Sequence, residues 1–118
     1  MFYRQDTNGY ETVLEGVEKK TLVYGDNTLM TEFRLAAGSI LPGHEHPHEQ
    51  TGYLVKGRLR MFVGDDAFMT EAGDAWCIPG NVTHSAEALE DSIAVEVFSP
   101  VRTDYLPPSR GVGKTFLP

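Results

Sequence analysis

The chain has 118 residues, of which 41% are hydrophobic, and its formal net charge is −7 at pH 7. This length suits one domain with one core. The acidic balance argues against a nucleic-acid surface, which requires clustered basic residues, and no apolar run approaches the ~20 residues of a membrane helix. The single cysteine, Cys77, excludes an internal disulfide. Because the N-terminus also lacks the basic and apolar regions of a signal peptide, we expect a cytoplasmic protein.

Short β-rich runs separated by Gly, Pro, Asp or Asn follow one another along the chain. The predicted strands cover residues 13–17, 20–24, 28–35, 52–56, 58–63, 67–70, 75–78, 82–88 and 92–98. Turns every ~8–12 residues, without a sustained helical period, indicate an all-β sandwich or barrel. We expect one domain over 1–118, with residues 1–12 as an N-terminal arm or edge strand. Residues 103–118, rich in Pro and Gly, are predicted to form an extended tail.

A histidine-rich stretch dominates the centre of the sequence. It carries nitrogen- and oxygen-bearing side chains at alternate positions: His44, His46, His48 and Gln50. Alternate side chains of an extended strand share one face, so these four point the same way if the stretch is a strand, with Glu45 and Glu49 opposite. Pro47 can bend the strand and remove His48 from the set. If Pro47 bends the strand, we expect His48 at the mouth of the barrel. If it does not, the strand register allows His48 to take the place of Gln50 in this set.

The last histidine, His84, lies far along the chain in a segment bounded by Pro79 and Gly80. If the fold brings His84 beside His44 and His46, three imidazoles converge on one point, as a divalent transition metal requires. Gln50 then offers a neutral oxygen as a fourth ligand. The alternative is a surface cluster of histidines without a metal, which fits a lone histidine better than a His-x-His pair with a distant third.

The final predicted strand carries a carboxylate among apolar residues. Its alternation places Glu96 and Phe98 on one face and Val95 and Val97 on the other. If the first face is internal, Glu96 lies inside the barrel; if it is external, Glu96 is a solvated surface charge. Arg102 lies shortly after this strand, and the sequence alone predicts that it is a surface charge.

Two motifs of the chain resemble those of the cupins. The first motif is matched by Gly38, His44, His46, Gln50 and Gly57, and the second by Gly73, Pro79, Asn81 and His84. Cupins are small jelly-roll barrels, built as a double-stranded β-helix, that hold a metal inside on three His and a carboxylate or amide. The match is specific for the fold and weak for function, since one fold hosts many chemistries. The chain departs from the usual pattern at three positions: Gln50 replaces Glu, Asn81 replaces Gly and Ala88 replaces Asn.

Within the cupins, the segments 46–59, 76–92 and 96–106 resemble the KdgF group. Members of that group convert 4,5-unsaturated uronates, released by pectin and alginate lyases, to linear ketonized forms of the 5-keto-4-deoxyuronate type. The resemblance implies that a divalent transition metal (Ni, Zn, Fe, Mn or Co) is bound by four ligands: His44, His46, Gln50 and His84. It implies catalytic roles for Glu96, Phe98 and Arg102. The group has Asp at the position of Glu96, whose side chain is one methylene longer.

These roles agree with the chemistry. An anionic sugar meets an unfavourable field on an acidic chain, so it requires a local positive site such as a metal or Arg102. A carboxylate can move protons, and guanidinium suits a two-point contact with a substrate carboxylate. The alternatives are a metal-dependent dioxygenase, a non-catalytic cupin that binds a sugar or a metal, and a sugar isomerase or epimerase of another specificity. Small cupins are often dimers, so we expect a homodimer, with neither nucleic acid nor membrane as a partner.

Overall fold

A computed structural model describes residues 1–107 of the chain. This part contains ten strands and one short 3-10 helix, Thr103–Tyr105. The strands are β1 Glu11–Leu14, β2 Val17–Tyr24, β3 Leu29–Leu35, β4 Ile40–His44, β5 Glu49–Lys56, β6 Arg58–Val63, β7 Asp66–Glu71, β8 Ala75–Ile78, β9 His84–Ala88 and β10 Ser92–Ser99.

The strands form two antiparallel sheets. One has six strands in the order β1-β2-β3-β10-β5-β8, and the other has four in the order β4-β9-β6-β7. Their neighbours in space are often distant in sequence, because β10 lies between β3 and β5, and β9 lies between β4 and β6. The prediction of an all-β jelly-roll barrel is confirmed.

The core lies between the sheets and follows the alternation of the strands. On β3, the residues Leu29, Phe33 and Leu35 are buried with Thr31 between them. On β10, alternate residues from Ser92 to Phe98 are buried and those between them are half-buried. In both strands, every second side chain therefore points to the interior, as expected for a strand with one buried face.

The first predicted strand is wrong in its bounds. Residues 13–17 are not one strand, because a turn at Glu15 and Gly16 separates β1 from β2. Gly16 has φ +81°, in the left-handed region that favours glycine. The chain reverses there, and β2 starts at Val17 rather than at Lys20.

The two ends of the chain differ from a simple arm and tail. Residues 1–10 lie outside the strands, and the ion pair between Lys20 Nζ and Asp6 Oδ1, at 3.0 Å, ties this segment to β2. Near the C-terminus, Tyr105 is buried and its carbonyl oxygen accepts a hydrogen bond from Thr21 Oγ1 at 2.6 Å. Residues 103–107 therefore pack on the barrel, and the remainder of the predicted tail, 108–118, lies outside the described residues. Within 1–107, no helix is long and apolar enough to cross a membrane.

Candidate metal centre and active site

Three histidines meet inside the barrel. His44 ends β4 and His84 begins β9, and these two residues pair across the four-stranded sheet. His46 lies in the loop that follows β4. One ligand atom from each of the three side chains lies within 4.8 Å of the others, and all three side chains are buried. The ring centroids of His44 and His84 are 4.1 Å apart, and those of His46 and His84 are 5.1 Å apart.

Backbone carbonyls fix the tautomer of each imidazole. The Nδ1 atoms of His44 and His84 each lie 2.8 Å from a carbonyl oxygen, and His46 Nδ1 lies 3.1 Å from another. A carbonyl oxygen only accepts, which assigns the proton to Nδ1 and leaves the lone pair on Nε2. His84 Nε2 is buried and has no hydrogen-bond partner in the described part of the chain. This arrangement is typical of metal-binding histidines.

Burial keeps these imidazoles neutral. Burial, assisted by the positive charge of Arg102, lowers the pKa of His44 and of His46 to about 4. The pKa of His84 is lowered for the same reasons. Metal binding requires deprotonated ligands, so the triad is competent to bind a metal near neutral pH.

Gln50, on β5, faces the triad. Its Oε1 lies 3.1 Å from His46 Nε2. Because the proton of His46 is on Nδ1, both His46 Nε2 and Gln50 Oε1 are acceptors and cannot hydrogen-bond to each other. A cation bound by both atoms would stabilise this contact. The amide N–H₂ of Gln50 donates a hydrogen bond to the Glu96 carboxylate, and this fixes which end of the amide faces His46. The donor set of three imidazoles and one amide oxygen therefore fits a divalent transition metal.

Glu96 lies inside the barrel beside the triad. It is 6% exposed and shares the inner face of β10 with Phe98, which is 1% exposed. Trp76 Nε1 donates to both carboxylate oxygens, at 3.1 and 3.2 Å. Burial raises the pKa of Glu96 to about 8, although the hydrogen bonds from Gln50 and Trp76 oppose the rise. A carboxyl group of this kind can accept and return a proton near neutral pH.

Arg102 is not a surface charge, because its side chain is fully buried. Its Nε lies 3.1 Å from Asp104 Oδ1, in an ion pair whose carboxylate is also buried. The guanidinium carbon lies 4.0 Å from the ring centre of Tyr105 and 5.1 Å from that of Phe98. Since its charge lowers the pKa of all four histidines, Arg102 contributes positive potential to the histidine cluster.

His48 is buried but lies outside the triad. Its ring centre is 5.4 Å from that of His46 and 6.5 Å from that of Phe98. Burial alternates along 44–50 as the sequence suggests, with Glu45 and Glu49 exposed. The backbone leaves the strand between β4 and β5, around Pro47, and Gln50 rather than His48 approaches the triad.

The loop before β9 holds the two histidine segments together. The Asn81 N–H donates to the His46 carbonyl oxygen at 2.7 Å. Asn81 has φ +64°, a conformation that favours Gly and that Asn tolerates. At Gly80, an added Cβ would lie 2.3 Å from the carbonyl oxygen of Pro47. The departure from Gly to Asn at position 81 thus keeps the turn that brings His84 to His46.

Neither Trp76 nor Asp104 was assigned a role from the sequence, yet the Trp76 indole contacts Glu96 and Asp104 pairs with Arg102. One local signal was present: Gly52 begins a predicted strand, and a glycine in a strand often marks a close approach of neighbouring groups. The interior cavity beside Gln50 and Glu96 is about 40 Å³. This space is large enough for a water molecule or two.

Known proteins resemble this chain in sequence and in fold. Residues 31–100 match the cupin domain model. The pectin degradation protein KdgF of Dickeya dadantii is 27% identical over 107 residues, which are 89% of this chain and 97% of that protein. The structure of KdgF from Halomonas sp. superposes with a TM-score of 0.85 at 28% identity, covering 90% of this chain and 98% of that one.

A second structure, an RmlC-like cupin from Shewanella frigidimarina, superposes with a TM-score of 0.84 at 25% identity, over 89% of this chain and 95% of that one. The chain belongs to the cupin family and, within it, is similar to KdgF proteins.

Proposed function

We propose that the protein converts a 4,5-unsaturated uronate, a product of pectin or alginate breakdown, to its linear ketonized form. The observation that carries the proposal is a buried carboxylate, Glu96, held beside three converging imidazoles and a cationic side chain. The similarity to a protein named for pectin degradation supports this class of substrate. The reaction is an isomerisation, so it needs no oxidant, reductant or second substrate.

Four side chains would hold the metal: His44, His46, Gln50 and His84. A divalent ion such as Ni, Zn, Fe, Mn or Co, when bound there, supplies Lewis-acid stabilisation of negative charge on substrate oxygens. The neutral Gln50 ligand leaves the full charge of the ion available for this purpose. The remaining chemistry belongs to the side chains around the site.

Glu96 is proposed to carry out both proton transfers of the reaction. As a base it takes the proton from the anomeric hydroxyl, and the C1–O5 bond breaks to leave an aldehyde at C1 and an enolate oxygen on C5. As an acid it returns the proton to C4, and C5 becomes a ketone. A group whose pKa is about 8 is present in both forms near neutral pH, as this exchange requires.

Arg102 and Phe98 are proposed to bind the substrate. The net charge of −7 repels an anionic sugar, and the buried charge of Arg102 offsets this repulsion locally. Phe98 lies between His46 and Arg102, with its ring centre 5.6 Å from that of His46, and provides an apolar wall. The ion pair with Asp104 fixes the orientation of the Arg102 guanidinium beside Phe98.

The test uses the ultraviolet absorbance of the conjugated double bond. Products of pectate or alginate lyase digestion are incubated with metal-loaded protein, and the decay is compared with that of the unassisted ring opening. We expect faster decay with wild type and no acceleration after chelation or with His84→Ala. An unchanged rate with metal-loaded wild type would contradict the proposal. Oxygen consumption in the same assay would indicate a dioxygenase instead.

A further inference from the structure

The indole of Trp76 reaches the carboxylate of Glu96 from a strand that is not adjacent. Trp76 lies on β8 and Glu96 on β10, with β5 between them. Indole Nε1 is a donor only, and it lies 3.1 and 3.2 Å from the two carboxylate oxygens. Both oxygens therefore share one donor, which fixes the direction of the carboxylate.

Gly52 on β5 makes this contact possible. It pairs with Trp76 on one side and with Glu96 on the other. A Cβ at Gly52 would lie 2.2 Å from indole atoms of Trp76 and 2.5 Å from Glu96 Oε2. Any side chain at position 52 would occupy the space through which the hydrogen bond passes.

The same carboxylate accepts a hydrogen bond from Gln50. Gln50 is a candidate metal ligand, whereas Trp76 is not in the proposed ligand set. Of the two donors, only Trp76 can therefore be changed without altering that set.

We propose that Trp76 is a positioning residue: through the gap left by Gly52, its indole N–H holds the Glu96 carboxylate in the orientation that proton transfer requires. The proposal rests on the function proposed above. Trp76 also borders an outer cavity of about 470 Å³ and the interior cavity near Glu96. The ring is therefore part of the wall between them, and the informative substitution is Trp76→Phe, which keeps a ring and removes the N–H.

The contact itself is testable without turnover, because Trp76 is the single tryptophan of the chain. Its indole N–H gives one resonance in a ¹⁵N-labelled sample. We expect this proton to exchange with solvent more slowly than in a free indole, and its resonance to move in Glu96→Gln while most backbone amide resonances stay. Exchange at the rate of a free indole, with no response to Glu96→Gln, would overturn the proposal.

Kinetic measurements then distinguish a positioning role of Trp76 from a purely structural role. We expect Trp76→Phe to lower kcat by about tenfold or more, part of the 10²–10⁴-fold contribution of a general base. KM, metal content and melting temperature should stay close to those of wild type. In a Glu96→Gln background the same substitution should cause no further loss, since residues acting through one group are not additive. The matched control is Tyr53→Phe, on the exposed side of β5, which should leave kcat unchanged.

The outcomes distinguish the two proposals. Turnover by wild type with an unaffected Trp76→Phe variant would overturn the positioning role alone, as would an equal loss in the wild-type and Glu96→Gln backgrounds. Absence of turnover by metal-loaded wild type would overturn both the proposed function and the role of Trp76 in it. Gly52→Ala provides a second approach, because its Cβ would crowd both the indole and Glu96 Oε2. It should lower kcat at least as much as Trp76→Phe, and a wild-type kcat in this variant would contradict the positioning role.

Discussion

At the scale of single residues, the site depends on charged groups that are buried but paired. Glu96 accepts from two donors, and Arg102 is bound to Asp104. Removing a charge from water costs several kcal/mol, so such groups persist only with partners. The partners also set function, because they decide how much charge Glu96 carries and where Arg102 points.

Asp104→Asn tests this dependence at Arg102. The Arg102–Asp104 pair has side chains that are 0% and 5% exposed, and Asp104→Asn removes the carboxylate charge that pairs with this buried cation. We expect the free energy of unfolding to fall by about 3–5 kcal/mol. Denaturant unfolding measures the change.

The control is an exposed pair of the same type. Arg58 and Glu71 lie 3.7 Å apart with side chains 45% and 69% exposed, so Glu71→Gln should cost less than about 1 kcal/mol. Equal effects of Asp104→Asn and Glu71→Gln would show that burial does not decide the strength of the Arg102 pair.

At the scale of elements, the strands are well predicted and the contacts between them are not. Alternation within β10 depends on neighbouring residues only, and it placed Glu96 and Phe98 on one face without deciding whether that face is internal. The break between β4 and β5 was foreseen at Pro47, since a proline interrupts a strand. The contact of Trp76 with Glu96 depends on the register of β8, β5 and β10, which no local pattern contains.

The turn between β5 and β6 gives the prediction at this scale. Gly57 has φ +100°, and a Cβ there would lie 2.1 Å from Ser92 Oγ and 2.6 Å from the Asp91 carbonyl oxygen. Gly57→Ala therefore adds a steric conflict to backbone strain. Gly73 has φ +97° with no atom within 4 Å of an added Cβ, so Gly73→Ala carries the strain alone.

We expect Gly73→Ala to cost about 1–2 kcal/mol, the penalty of a left-handed conformation. Gly57→Ala should cost about 1–3 kcal/mol more, as overpacking does. Thermal unfolding of both variants measures the difference. If Gly57→Ala were no less stable than Gly73→Ala, the turn would have to tolerate displacement of Ser92.

At the scale of the whole molecule, an acidic protein encloses a basic centre. The net charge is −7, yet the buried guanidinium of Arg102 adds positive potential to the neutral histidine cluster. The sequence indicated the ligand types but not this enclosure, because burial of Arg102 arises from its packing against Phe98 and Tyr105. The homodimer and the cytoplasmic location stay predictions, and light scattering in solution tests the first.

The buried ionisable groups also give the metal-free protein a stability maximum near neutral pH. The folded-state pKa of His44 and His46, about 4, lies below the ordinary value of 6.5, so the unfolded chain binds more protons between these values. Stability from these groups is present above pH 6.5 and is lost as the pH falls towards 4. His48 and His84 shift in the same direction and steepen this loss.

Glu96 has the opposite effect. Its folded-state pKa of about 8 lies above the ordinary value of 4.5, so the folded protein holds the extra proton between these values, and stability falls as the pH rises towards 8. Four imidazoles outweigh one carboxyl below pH 6.5, and Glu96 dominates above it. Melting temperatures of chelator-treated protein from pH 4.5 to 8.5 should therefore peak between about pH 6 and 7. In Glu96→Gln, the melting temperature should still fall at acidic pH but should change little between pH 7 and 8.5. If the melting temperature of wild type kept rising to pH 8, Glu96 would already be ionised in the folded barrel.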